Sequence, residues 1–194
     1  LLRSRNGGRD WQDQAAAVIT GPVFCVAFGR DGRSAYAANG SGLFRSDDGD
    51  HWRGLDVPLT AMPVSQIVVG QSRVYLAGND GLYIGSANGE DWSGPEKGLP
   101  EEAILALVVA DAKPQGMIHA VVGGRVWRSL DRGKSWQQAA GEWRDQRVDS
   151  IVVDTGDPKI LWAAGASRVF KSADGGASWQ PYGKPLPDPN IAIR

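Results

Sequence analysis

Cysteine is nearly absent from this sequence. Cys25 is the single one in 194 residues, so no intrachain disulfide can form. Histidine is scarce too, with His51 and His119 alone, and no structural zinc site or other metal centre is expected from such a ligand supply. No stretch reaches the roughly 18 consecutive apolar residues of a membrane-spanning helix. No signal peptide is visible, which is uninformative because the chain opens inside a repeat. An excess of one charge is also missing. The 21 Lys and Arg against 22 Asp and Glu leave a formal net charge of −1, so no global field favours nucleic acid or anionic lipid. There is no Gly-rich phosphate loop after a strand, no G-x-S-x-G elbow and no paired metal motif. No cofactor is expected. The run Asp47, Asp48, Asp50 lacks the alternate spacing and distal Glu of an EF-hand loop.

Glycine and tryptophan are abundant instead, at 26 and 8 residues, and a repeat explains most of the excess. Ser129 to Trp136 reads S-x-D-x-G-x-S-W, with Asp131, Gly133 and Ser135 at its fixed places. The pattern returns from Ser172 to Trp179 with Asp174, Gly176 and Ser178. A looser copy runs from Ser4 to Trp11 with Asn6 in place of Asp. A copy one residue shorter runs from Ser46 through Asp48 to Trp52. A worn copy ends at Trp92, in a register of either Gly85 and Ala87 or Ser86 and Asn88. The five tryptophans follow one another at 41, 40, 44 and 43 residues. A fixed period of that length marks an array of supersecondary units.

Three short apolar runs precede each of the four later boxes, and Leu1-Leu2-Arg3 precedes the first. Arg125-Val126-Trp127-Arg128 stands before Ser129, Ile118-His119-Ala120-Val121 before that, and Leu107-Val108-Val109 earlier still. The equivalents Val26-Ala27-Phe28, Ile67-Val68-Val69 and Ile151-Val152-Val153 recur at the repeat period. The runs are β-branched or aromatic and bounded by Gly, Pro, Asp or Asn, which is strand grammar. With the Trp segment, each repeat has four strands, and four-stranded units of this period are propeller blades. The expected fold is all-β, a propeller of four-stranded antiparallel blades. The box itself reads as turn chemistry. Its Asp accepts backbone N–H bonds, its Ser braces the carboxylate, and its Gly supplies positive φ. Asp48, Asp131 and Asp174 are therefore expected to shape turns, with the Trp indole buried against the sheet.

These boxes resemble the Asp-box, or BNR, repeat of sialidase-like β-propellers. Two copies fit the pattern fully and three in part, and the resemblance covers nearly the whole chain. It implies fold more than activity, because the repeat occurs in sialidases, xyloglucan-cleaving glycosidases, sortilin-type receptors and photosystem assembly factors. It also implies that the boxes lie on the propeller rim, away from an axial ligand site, and that the protein works outside the cytoplasm (secreted, periplasmic or lumenal).

The expected layout is a partial blade over 1–14, blades over about 15–57, 58–98, 99–141 and 142–185, and a partial blade over 186–194. Such a chain is expected to be a fragment of a propeller of roughly six to eight blades, the alternative being a ring of about five.

Propeller sites lie where inner-strand loops gather. Glu101, Glu102, Arg144, Asp145 and Arg147 form the polar cluster in those loops. Arg144 and Arg147 are candidates for binding a carboxylate in a bidentate fork. Glu101, Glu102 and Asp145 are candidates for acid–base work on a sugar, with solvated loop charge as the plainer reading. The tyrosines offer no nucleophile: Tyr36, Tyr75 and Tyr83 sit at strand positions and Tyr182 follows the last box. Arg3, Arg45, Arg128 and Lys171 each precede a box Ser and read as solubilising charge or a surface for an acidic partner. Asn39-Gly40-Ser41 is a formal glycosylation sequon. Two functions follow: a non-catalytic scaffold for a protein partner or complex, or a sialidase- or xyloglucanase-like glycoside hydrolase acting on a glycan, with its catalytic acids at the axial mouth or in blades not present here.

Overall fold

The computed structural model describes residues 1–13, 18–58, 63–94, 96–110, 116–143, 146–165 and 168–185. These residues form strands and turns and no helix, so no helix is long and apolar enough to cross a membrane. The strands are β1 (Leu2–Arg3), β2 (Gln12–Asp13), β3 (Val23–Phe28), β4 (Ala35–Asn39), β5 (Gly42–Ser46), β6 (Trp52–Leu55), β7 (Val64–Val69), β8 (Arg73–Gly78), β9 (Gly81–Ser86), β10 (Trp92–Ser93), β11 (Ile104–Ala110), β12 (Met117–Val122), β13 (Arg125–Ser129), β14 (Gln137–Gln138), β15 (Ala140–Gly141), β16 (Ser150–Val153), β17 (Leu161–Gly165), β18 (Arg168–Ser172) and β19 (Ser178–Tyr182).

Strands that follow one another in sequence pair antiparallel, as short connections dictate. β3-β4-β5-β6, β7-β8-β9-β10 and β11-β12-β13-β14 are four-stranded meanders, and β16-β17-β18-β19 is a fourth. These all-β, four-stranded antiparallel sheets are propeller blades. β1 and β2 stand as a two-stranded sheet. One strand departs from the simple repeat. β15 leaves the sheet of β14 and pairs parallel with β19, so the last sheet has five strands.

The second strand of each meander is deeply set. All of β4 is buried, as are Val74–Gly78 of β8 and Ile118–Val122 of β12. Both faces of these strands are covered, which is why their sequences are nearly continuous apolar runs rather than alternating ones. Of the first strands β3 alternates in burial, and three of them carry a register shift at the same place: Val23/Cys25, Val64/Gln66 and Ile104/Ala106. Such a bulge bends a strand and sharpens its twist.

The chain divides into two compact units, Leu1–Asn79 with Tyr83–Gly94, and Asp80–Leu82 with Pro95–Arg194. In the first unit the main core gathers Tyr36, Ala38, Leu43, Ile67, Leu76 and Tyr83. Cys25 packs against it, its thiol 3.6 Å from the Val64 carbonyl and pushed up to about 11 by burial. In the second unit Val126, Trp143, Ile151, Leu161, Phe170 and Trp179 form the core. Trp143 meets the rings of Phe170 and Trp179 at centroid distances of 4.9 and 5.7 Å. Each such fully buried side chain contributes about 1.5–3 kcal/mol by leaving water.

Candidate functional site

Two groups of polar residues repeat or converge: the box turns, and the loops that enter the inner strands. The turns come first because they use most of the distinctive residues. In the box after β13, Ser129 Oγ donates to Asp131 Oδ1 at 2.7 Å and accepts from the Gly133 N–H at 2.7 Å. Asp131 Oδ1 accepts from the Ser135 N–H at 2.9 Å, and Oδ2 from the Ser135 hydroxyl at 2.6 Å. The Trp136 indole donates to the Gly133 carbonyl at 3.0 Å. The box after β18 repeats every bond with Ser172, Asp174, Gly176, Ser178 and Trp179. Gly133 and Gly176 have φ of 94° and 79°. The Ser135 hydroxyl and N–H hold the Asp131 carboxyl down at about 2. Asp174 is held at a similar value by the same bonds from Ser178, against the burial that opposes them.

The shorter box after β5 solves the same problem with histidine. Asp48 Oδ1 accepts from the N–H groups of Asp50 and His51 at 2.8 Å each. The His51 ring sits 2.6 Å from Asp48 Oδ2, in the role of the missing hydroxyl. In the box after β1, Asn6 Oδ1 accepts from the N–H of Arg9 and Asp10 at 3.1 and 2.9 Å. For the worn box, the structure adopts the register of Ser86 and Asn88. Ser86 Oγ donates to Asn88 Oδ1, and the Trp92 indole donates to the Gly89 carbonyl at 2.9 Å.

The indoles are not buried equally. Trp136 and Trp179 are buried, Trp52 and Trp92 half-buried, and Trp11 is 59% exposed. The expectation of a buried Trp fails at Trp11, whose strands β1 and β2 pair only with each other among the described residues.

The cations before the boxes are not open surface charge throughout. Arg3 donates to the Asp48 carbonyl at 2.8 Å and to Asp50 at 3.1 Å. Arg45 donates to the Asn88 carbonyl and lies over the Tyr36 ring at 5.6 Å. Each reaches the same place in the following box. Lys171 instead stacks over Trp162 at 5.0 Å. Tyr182 closes β19 rather than lying in a loop, and meets Trp162 edge-on at 4.7 Å. Asn39 is 1% exposed and donates to the Thr20 carbonyl at 2.7 Å, so its side chain is engaged rather than offered as a sequon.

The loop cluster is in the second unit. Glu101 and Glu102 are both exposed but go to different places. Glu101 lines an open groove of about 590 Å³ with Asp80, Glu96 and Lys97. The Glu102 carboxylate lies over Gly123, where an added Cβ would fall 2.8 Å from its Oε2. Arg147 lies over the adjacent Gly124, 2.8 Å from the equivalent point. Its loop is fastened by Arg125, which donates to the Gln146 carbonyl at 3.0 Å, and by the Val148 N–H on the Gly124 carbonyl at 3.0 Å. Arg144 and Asp145 lie outside the described residues. Asp80 and Glu96 were not legible as partners of Glu101. They stand 21 and 5 residues before it, and only the turn after β8 brings Asp80 to the groove. Among the described residues no cluster of three His, Cys, Asp or Glu could hold a metal ion.

Residues 1–190 match the DUF6242 beta propeller domain, and the chain belongs to that family. No curated relative matches it. Among solved structures, the chain is similar to an ancestral GH74 enzyme at 22% identity and a TM-score of 0.68, covering 87% of this chain and 24% of that one. It is also similar to YCF48 bound to a D1 peptide, at 16% identity and a TM-score of 0.60, covering 93% and 74%. A third is PorZ, a bacterial surface component of the type-IX secretion system of Porphyromonas gingivalis, at 14% identity and 0.67, covering 88% and 23%. The chain thus spans about a quarter of the GH74 and PorZ structures. At these identities the likeness is one of fold.

Proposed function

We propose that this DUF6242 beta propeller chain is a non-catalytic scaffold that binds a protein partner or a subunit of a larger complex. The observation that carries this reading is how its acids are used. Asp48, Asp131 and Asp174 give their oxygens to turn N–H groups, hydroxyls or an imidazole. Glu101 and Glu102 diverge, one to the groove and one to Gly123. Two-carboxylate glycoside hydrolysis needs acids facing each other about 5–10 Å apart, and of these two it is Glu101 that lines the groove. A YCF48 propeller carries a peptide, which fits the reading. The boxes belong on this view to the Asp-box (BNR) class, as turn-forming elements, and the propeller works outside the cytoplasm, as PorZ does at a bacterial surface.

A second reading has its own observation. Asp80, Glu96 and Glu101 line one groove, and GH74 enzymes share the fold. A glycoside hydrolase would use these acids, or acids elsewhere in a longer protein. Fold alone does not decide between the two.

The deciding experiment is an affinity capture of the tagged protein from its own cells, followed by mass spectrometry. The scaffold reading expects partner subunits in stoichiometric amount at moderate salt. Isolation of the protein alone, together with hydrolysis of xyloglucan or a sialoside that Glu101→Gln abolishes, would replace it by the enzyme.

A further inference from the structure

Two of the box turns share one frame and differ only between its fixed places. The box after β13 reads Ser129-Leu130-Asp131-Arg132-Gly133-Lys134-Ser135-Trp136, and the box after β18 reads Ser172-Ala173-Asp174-Gly175-Gly176-Ala177-Ser178-Trp179. The same side-chain bonds close both turns. Ala173, Gly175 and Ala177 therefore suffice for the turn, and Leu130, Arg132 and Lys134 add side chains that those bonds do not use. All three are exposed, Leu130 by 42%.

Arg132 holds its place against a backbone preference. The position after the box Asp or Asn is left-handed, and Gly7 and Gly175 fill it with φ of 71° and 70°. Arg132 fills it at φ 64°, the one positive φ at a residue other than glycine among the described residues. An L side chain is disfavoured in that region, and Arg is not among the residues that tolerate it best. Glycine would relieve the strain, as it does in the other two boxes. Strain kept at an exposed residue that the turn does not need points to a task for its side chain.

The charge around it agrees. Residues 125–138 hold Arg125, Arg128, Arg132 and Lys134 against Asp131 alone, in a chain whose net charge is −1. Asp131 is engaged by Ser129 and Ser135, and Arg125 by the Gln146 carbonyl. Arg128, Arg132 and Lys134 form no ion pair among the described residues. Other boxes balance their cations, Arg3 and Arg5 with Asp50 and Arg45 with Asp47. The turn after β13 is thus a local positive point with an apolar side chain beside it.

We propose that the box turn 129–136 docks an acidic segment of a protein partner. Arg132 takes one carboxylate in its planar fork, Lys134 takes a second as a point charge, and Leu130 seats an apolar side chain next to them. The proposal rests on the scaffold reading and specifies the contact that the partner makes. A nucleic acid is disfavoured, because one turn cannot track a run of phosphates and its indole, Trp136, is buried rather than offered for stacking. A lipid surface is disfavoured too, because two exposed cations fall short of the roughly 4–8 basic residues of a headgroup-binding cluster.

The probe is the photo-crosslinker benzoylphenylalanine, placed at Leu130 of the tagged protein in its own cells. Irradiation should join it to one partner subunit, within a segment rich in Asp and Glu, as read by mass spectrometry. In the protein with Leu130 in place, Arg132→Gly should lower capture of that subunit about tenfold and Lys134→Gln about threefold. Arg33→Gln, at an exposed cation of the first unit, should leave capture unchanged. Arg132→Gly should at the same time raise the melting temperature, because the strain leaves with the side chain. A raised melting temperature with undiminished capture overturns the proposal, and so does a lowered one. A crosslink to a basic or neutral segment, to RNA or to lipid overturns it as well. Captured subunits that neither crosslink at position 130 nor respond to the two variants sink the docking turn and leave the scaffold standing, whereas capture of nothing by wild type sinks both.

Discussion

His119 donates from Nε2 to the Gly175 carbonyl, 3.0 Å away. The bond runs from β12 of one sheet to the box turn of the next. Tyr36 on β4 makes the same reach with its hydroxyl, to the Ala87 carbonyl at 3.0 Å. A ring with a polar tip on the second strand therefore latches the following turn, once in each unit. Since a carbonyl only accepts, the His119 proton must sit on Nε2, and its buried Nδ1 has no partner among the described residues. That arrangement suits a neutral imidazole and resists a charged one.

The first prediction concerns acid. Burial pushes His119 down to about 4, from an ordinary value of 6.5. The folded state thus refuses a proton that the unfolded chain accepts below pH 6.5. Stability contributed by this group is complete above that value and falls with pH until about 4, by roughly 3 kcal/mol in all. His51 moves the other way, raised by its bond to Asp48. Its contribution is present at low pH and lost as pH rises through its folded value. Proton NMR should show two imidazoles titrating on opposite sides of 6.5. Urea unfolding from pH 7 to 4 should lose much of its slope in His119→Gln. Titration of both rings near 6.5 would refute the buried latch.

Gly176 gives a second prediction from the same contact. Its φ is 79°, and an added Cβ would fall 2.3 Å from His119 Nε2. Gly183 has a similar φ of 71° with nothing within 4 Å. Gly183→Ala should therefore cost the backbone penalty alone, about 1 kcal/mol. Gly176→Ala adds the collision, for a total of about 2–4 kcal/mol. Thermal melts of the pair isolate the latch, and equal losses would mean that the ring gives way freely.

Much of this architecture was legible in the sequence for a physical reason. The box residues Ser129, Asp131 and Gly133 satisfy one another locally, so their pattern survives in one dimension. The same holds for the apolar second strands. What escaped notice depends on neighbours far along the chain. The Arg3 contact with Asp48 spans 45 residues and the His119 contact with Gly175 spans 56. Trp143, between two repeats, belongs to the core although no periodicity marks it. The parallel strand β15 has no signal either, since Ala140 and Gly141 favour no sheet. Adjacency in sequence likewise does not reveal that Glu102 lies over Gly123 while Glu101 lines the groove.

Those glutamates give a third prediction. Both are exposed, and on the scaffold reading neither does chemistry. Glu101→Gln and Glu102→Gln should each leave the melting transition within about 0.5 kcal/mol of the parent, as surface changes usually do. Partner capture should be unchanged by Glu102→Gln. A glycosidase activity lost on either substitution would instead identify a working carboxylate.

The last prediction tests whether the box carboxylate acts by charge or by acceptor geometry. Asp131 receives the Ser135 N–H and hydroxyl and braces Ser129. Replacing it by Ala leaves those donors to water in a tight turn, at a cost of about 1–3 kcal/mol. Asn is a milder change, because Asn6 already performs this role, accepting two N–H bonds and donating its amide to Asp10 at 2.6 Å. Asp131→Asn should therefore cost less than about 1 kcal/mol. The Asp131 carboxyl is depressed to about 2 in the folded protein, from 3.8. Its contribution is thus present above 3.8 and disappears as pH falls through about 2. Urea unfolding at pH 7 and at pH 3 reads both effects. The deficit of Asp131→Ala against the parent should shrink at the lower pH. A deficit equal for Ala and Asn at pH 7 would show that charge, rather than the acceptor oxygen, holds the turn.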